Sequence, residues 1–159
     1  MPFNTLLSRC LRQGNSFTEN KVTVSVRRAT DEVVLFFRID EGPNGPFRKD
    51  MGYDGKLCDL AVFFTRGGRK VLCLVELKKG DLGAAIEQIL KTRDFLIESF
   101  MSDPHKRAIH EDLLFKCYVR CHGSSPLEKA KKVKLDKILG KGRWMISEKD
   151  DMGDFLRNE

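Results

Sequence analysis

Two nearly continuous apolar runs joined by a glycine turn limit this chain to folds built around a buried hairpin. Leu57 to Thr65 and Lys70 to Lys78 flank Arg66-Gly67-Gly68-Arg69, whose glycines suit the positive φ of a tight hairpin turn. Strands apolar on both faces belong in the middle of a covered sheet. Charge is out of place there, yet Asp59 interrupts LCDLAVFF and Glu76-Leu77-Lys78 closes VLCLV. Alternation puts Leu74, Glu76 and Lys78 on one face and Cys73, Val75 and Leu77 on the other. Pairing about the turn centre sets Asp59 opposite Glu76.

The remaining elements follow from periodicity. Phe3, Leu6, Leu7, Cys10 and Leu11 predict a short first helix with Asn4 as its cap and Gly14 as its stop. Lys21 to Arg28 and Glu32 to Ile39 read as strands forming a hairpin across Thr30-Asp31. Asp40 to Gly55, with two prolines and four glycines, reads as a long loop of the kind that is often functional. Asp81 caps a helix in which Leu82, Ala85, Ile86, Ile89, Leu90, Phe95, Leu96 and Phe100 recur at helical spacing up to Met101. Leu113 to Cys121 predicts a strand, His122 to Pro126 a turn, Leu127 to Leu139 a basic helix and Arg143 to Ser147 a last strand. The acidic tail from Glu148 is expected to be peripheral. This order describes a mixed α/β (α+β) chain with a central mixed sheet flanked by helices.

The 159 residues, 41% hydrophobic, suit one compact domain spanning 1–159. A net charge of +6 favours polyanionic partners, chiefly nucleic acid. No signal-peptide pattern opens the sequence and no run approaches the ~20 apolar residues of a membrane helix, so an intracellular, cytoplasmic protein without membrane association is expected. Five scattered cysteines form no disulfide framework, and Cys58 and Cys73 read as reduced core residues. Cys117, Cys121 and His122 lack paired zinc-ligand spacing, which favours buried thiols on a strand. Trp144 and Phe155 read as packing residues, and His105 and His110 as solvent-exposed.

Two carboxylates brought together at a sheet raise each other's pKa unless a cation lies between them. Oxygen ligation by Asp59, Glu76 and the Leu77 backbone carbonyl suits Mg²⁺ or Mn²⁺, which retain waters and take a substrate phosphate in the remaining positions. Lys78 is placed to hold or deprotonate an attacking water and to stabilise charge on the phosphate. That is the chemistry of phosphodiester hydrolysis.

At these residues the chain resembles the PD-(D/E)xK, or restriction-endonuclease-like, nuclease superfamily: Asp59 on one central strand, Glu76-Leu77-Lys78 on the next, then a helix. Cys58 replaces the proline of the superfamily's name. The resemblance covers roughly residues 55 to 95 and implies an αβββαβ core, here with an extra N-terminal hairpin strand. It also implies a metal-dependent nuclease acting on DNA ahead of RNA, with a homodimer as the expected assembly. Gln88 stands where members carry a catalytic glutamine, with Thr92 in place of the tyrosine found four residues later in some branches. No acid occurs from Phe3 to Leu11, which leaves Glu19 as the substitute for the first-helix glutamate among the metal ligands. Asp40, Glu41, Asp50 and Asp54 are weaker candidates for a third acid.

Lys56, Lys79, Lys131, Lys132 and Lys134 are candidate nucleic-acid contacts. The lysine-rich helix reads equally well as a solvated face. Tyr53 is a candidate for touching substrate. A bland alternative pairs Asp59 with Lys78 at a strand end and leaves Glu76 solvated. A second functional class is a catalytically inactive nuclease-like module that binds nucleic acid or a protein partner.

Overall fold

A computed structural model describes residues 2–102, 104–123 and 127–158. In chain order it contains α1 (Pro2–Thr5), running on through a π-helical turn at Leu6–Cys10, then β1 (Leu11–Arg12), β2 (Ser16–Glu19), β3 (Val22–Ser25) and β4 (Val33–Arg38). There follow α2 (Pro46–Met51), β5 (Leu60–Arg66), β6 (Arg69–Lys78), α3 (Leu82–Met101) and α4 (Pro104–Glu111). The chain closes with β7 (Leu113–Cys121), α5 (Lys129–Leu139), β8 (Trp144–Ser147) and α6 (Gly153–Arg157). Among the described residues no helix is long and apolar enough to cross a membrane.

The fold is mixed α/β. A six-stranded sheet runs in the order β1-β4-β5-β6-β7-β8. Its first half, β1 to β6, is antiparallel, whereas β6-β7 and β7-β8 are parallel. Parallel neighbours need crossover connections, and the chain provides α3 with α4 for the first and α5 for the second. The central hairpin has the expected register, Leu60 opposite Val75 through Arg66 opposite Arg69, with Gly67 and Gly68 at φ 56° and 84° in its turn. Asp81 caps α3 as its position suggests, accepting from the Ala84 N–H at 3.0 Å.

Both faces of the sheet are covered. Ala61, Leu72, Leu74, Cys117 and Val119 face Leu82, Ala85, Ile89 and Leu96 of α3 and Leu135 and Leu139 of α5. Val34, Phe36, Leu60, Val62, Val71, Cys73, Val75 and Tyr118 face Val24, Met152, Phe155 and Leu156. All five cysteines are buried.

Several expectations are corrected. β3 does not pair with β4; it pairs with β2 as a separate two-stranded sheet, Glu19 opposite Val22. The reason is local: Asn20 and Lys21 both take positive φ, 50° and 64°, and close a two-residue hairpin turn without glycine. β3 continues instead toward the C-terminus, where the Ser25 N–H donates to Asp150 O at 2.7 Å and the Met152 N–H to Ser25 O at 2.9 Å. Asn4 is not a cap but lies within α1, its carbonyl accepting from the Ser8 hydroxyl. The 40–55 loop contains α2, begun by Pro46, a residue suited to the first helical turn, and stopped by Gly52 at φ 61°.

The C-terminal segment is not peripheral. Met152, Phe155 and Leu156 are buried against β5, β6 and β7, and Lys116 of β7 donates to the carbonyl oxygens of Phe155 (2.6 Å) and Asn158. Trp144 packs against the α3-side core and donates to Asp136 at 2.8 Å. His105 and His110 fall on α4, and their side chains lie outside the described residues, as do Ser124, Ser125 and Pro126 of the expected turn.

Candidate active site

The site forms where the central hairpin opens, at the end away from the Gly67-Gly68 turn. β5 begins at Leu60, so Asp59 stands one step before the strand, where the register continued by one residue brings it beside Glu76. Two hydrogen bonds lock the pair: the Leu77 N–H donates to Asp59 Oδ2 at 2.7 Å, and the Asp59 N–H donates to Glu76 Oε2 at 3.3 Å. Lys78 Nζ lies 3.0 Å from Glu76 Oε1. The partner of Lys78 is therefore Glu76 and not Asp59, and Glu76, at 1% exposure, is not solvated at the sheet edge. The bland expectation fails on both counts.

Burial dominates the electrostatics. It pushes the Asp59 carboxyl up to about 6; the Leu77 N–H opposes it, Glu19 and Asp40 reinforce it, and Lys78 opposes it. Burial likewise pushes Glu76 up to about 7, reinforced by the Asp59 charge and opposed by Lys78. Each carboxyl therefore keeps its proton to a higher pH than an exposed acid would, unless a cation offsets the charge.

Gln88 does not meet the carboxylates. Its side-chain amide donates to Leu57 O at 3.1 Å, and Thr92 one turn later accepts from the Cys58 N–H at 2.8 Å while donating to Gln88 O. These two side chains fasten residues 57 and 58 to α3 and so fix the approach of the chain to Asp59. Glu19 pairs with Arg38 at 2.7 Å, and its charge reaches Asp59 without joining the hydrogen-bonded pair. Among the described residues no three His, Cys, Asp or Glu side chains gather as a ready-made metal cluster.

The lysines divide. Lys56 pairs with the exposed Glu87 at 3.0 Å. Lys79 is exposed beside Lys78, and Lys131, Lys132 and Lys134 are exposed on α5. Lys131 and Lys134 line a groove with Gly83, Ile86 and Leu90 of α3. Sequence reasoning passed over Arg38 and did not bring Asp40 to the pair: the Ile39 and Asp40 N–H groups both donate to Asp59 O, at 3.0 and 3.4 Å. The available signal is the place of Arg38 at the end of β4 and of Asp40 just past it, next to β5; the expected β3–β4 hairpin hides it.

Compared with known proteins, the chain matches no family model, no curated protein and no solved structure.

Proposed function

We propose that the protein is a metal-dependent nuclease that hydrolyses phosphodiester bonds of nucleic acid, DNA ahead of RNA. The observation that carries this reading is the Asp59–Glu76 pair, Glu76 buried and Asp59 half-buried, with Lys78 3.0 Å from Glu76 at the open end of the central hairpin. The donor set fits Mg²⁺ or Mn²⁺: it is all oxygen, and such ions are held by one or two carboxylates while keeping waters and substrate phosphate as further ligands. Asp59 and Glu76 would hold the ion, with the Leu77 carbonyl as a third donor and Glu19 or Asp40 as outlying acids. A bound ion supplies Lewis-acid polarisation of the phosphate and a more acidic water.

The chain's own residues do the rest. Lys78 orients the attacking water and stabilises the charge that develops on the phosphate. Gln88 and Thr92 keep Asp59 in place by holding the backbone before it. With Mg²⁺ or Mn²⁺, purified protein is expected to cleave DNA, and Lys78→Ala to slow cleavage on the order of 10²–10³-fold, as loss of a transition-state donor does.

A second reading is a nuclease-like module that binds nucleic acid without cutting it. Two observations favour it: Lys78 already offsets the charge on Glu76, and among the described residues no third carboxyl joins the pair. Titration with Mg²⁺ and Mn²⁺ separates the two. Catalysis requires a metal-dependent rise in melting temperature that Glu76→Gln removes, whereas the binding module shows no such rise and still binds DNA.

A further inference from the structure

A cleft of about 870 Å³ adjoins the carboxylate pair, bounded by α2 and residues 52–57 on one side and by α3 on the other. Asp59, Glu76 and Lys78 do not line it; it approaches them through Leu57, two residues before Asp59, and through Asp40, whose N–H donates to Asp59 O at 3.4 Å. Arg48, Lys49, Lys56 and Lys91 line it against Asp40 and Asp54. Arg48 is committed to the wall itself, its guanidinium donating to Gly55 O and to Asp40 at 3.3 Å. The other cations are available. Lys56 and Lys91 share a single exposed carboxylate, Glu87, at 3.0 and 2.9 Å, so that trio keeps a net positive charge. Lys49 has no ion pair among the described residues.

An aromatic ring stands among these cations. Tyr53 lines the cleft, backed by Phe95 in a stacked pair with centroids 4.1 Å apart. Gly55 leaves room for it, since a Cβ there would run into the Tyr53 ring and hydroxyl. The ring is therefore fixed before any ligand arrives. Lysines that track phosphates beside a fixed aromatic ring form the combination that holds unpaired nucleic acid, because every base has a π-face. A base inside a continuous duplex has both π-faces covered by its neighbours, so only an unpaired nucleotide can stack on the ring.

We propose that this cleft binds an unpaired nucleotide next to the scissile phosphate, so that a single-stranded end or flap is preferred over a continuous duplex. The inference rests on the nuclease reading for the word scissile, and its test reads binding without cleavage.

The test is fluorescence anisotropy of a labelled oligothymidylate against a blunt duplex of equal length, in EDTA, across a salt series. Wild-type protein is expected to bind the oligothymidylate more tightly. In the double variant Lys49→Ala/Lys91→Ala, the slope of log affinity against log salt should shrink by about 1.4, the loss of two single-strand phosphate contacts at about 0.7 each. Both lysines are exposed, so the fold should tolerate their loss. Lys70→Ala, at the far end of β6, is the control and should leave the slope unchanged. Duplex bound as tightly as oligothymidylate, or a slope indifferent to Lys49 and Lys91, would overturn the assignment even if the protein cleaves DNA. Oligothymidylate binding that depends on both lysines supports the cleft even if Mg²⁺ produces no cleavage, a result that would count against the nuclease reading alone.

Discussion

Glu76 is a carboxyl at 1% exposure whose hydrogen-bonded neighbour carries a second carboxyl. Both acids bind a proton more tightly in the folded chain than their ordinary values of 3.8 and 4.5, being raised to about 6 and about 7. Asp59 and Glu76 hold more protons in the folded state than in the unfolded chain up to pH about 7; below pH about 5 Glu32, held down to about 2 by Arg157, offsets them, so metal-free stability should fall as pH rises from about 5 to 7. Urea unfolding at several pH values checks this, with Glu76→Gln flattening the fall; a wild-type stability that rises with pH would contradict it. Mg²⁺ should raise the melting temperature more at pH 8 than at pH 6, because binding at the lower pH must first displace protons. Asp59, Glu76 and Lys78 were legible as charges interrupting apolar runs. Buried Glu32 and Lys116 were not, because their partners are far away in sequence: Arg157 grips Glu32 at 2.7 and 2.9 Å, and Lys116 meets the carbonyls of Phe155 and Asn158. Arg157→Ala, which leaves Glu32 the Ala29 N–H at 2.8 Å and Arg66 at 3.8 Å, should cost about 1–3 kcal/mol of stability in denaturant unfolding.

The β5–β6 hairpin and α3 were readable because local signals agree with the fold: two positive-φ glycines at one turn, Asp81 as the cap, and apolar residues at helical spacing. β2–β3 was misread because Asn20-Lys21 closes its turn without a glycine, and α2 because six residues between glycines carry little periodic signal. α6 was missed for a different reason. Five residues are too few to be stable alone, and the helix exists because Phe155 and Leu156 enter the core while Lys116 and Arg69 donate to the carbonyls at its end. Phe155→Ala should therefore destabilise the protein by about 3–5 kcal/mol, measured as a lower denaturation midpoint with an unchanged slope. A cost below about 1 kcal/mol, the range of surface substitutions, would mean that α6 is not part of the folded core.

On the scale of the molecule, one sheet is sealed on both faces, by α3 and α5 on one side and by β3 and α6 on the other. Glu76 is buried and Asp59 half-buried where the strands of the central hairpin part, beside a cationic cleft that Tyr53 lines. The mixed sheet could be anticipated from its buried strands; the cleft could not, because it depends on α2 standing against α3, and the spacing of residues 40–55 encodes no such contact. The decisive measurement is cleavage of an end-labelled oligonucleotide, single-stranded and duplex, by wild-type protein, Glu76→Gln and Lys78→Ala with Mg²⁺ or Mn²⁺. Metal-dependent cleavage by the wild type that both substitutions abolish or severely slow is the predicted result. Equal cleavage by all three proteins, or no cleavage of either substrate by the wild type with either metal, would contradict it.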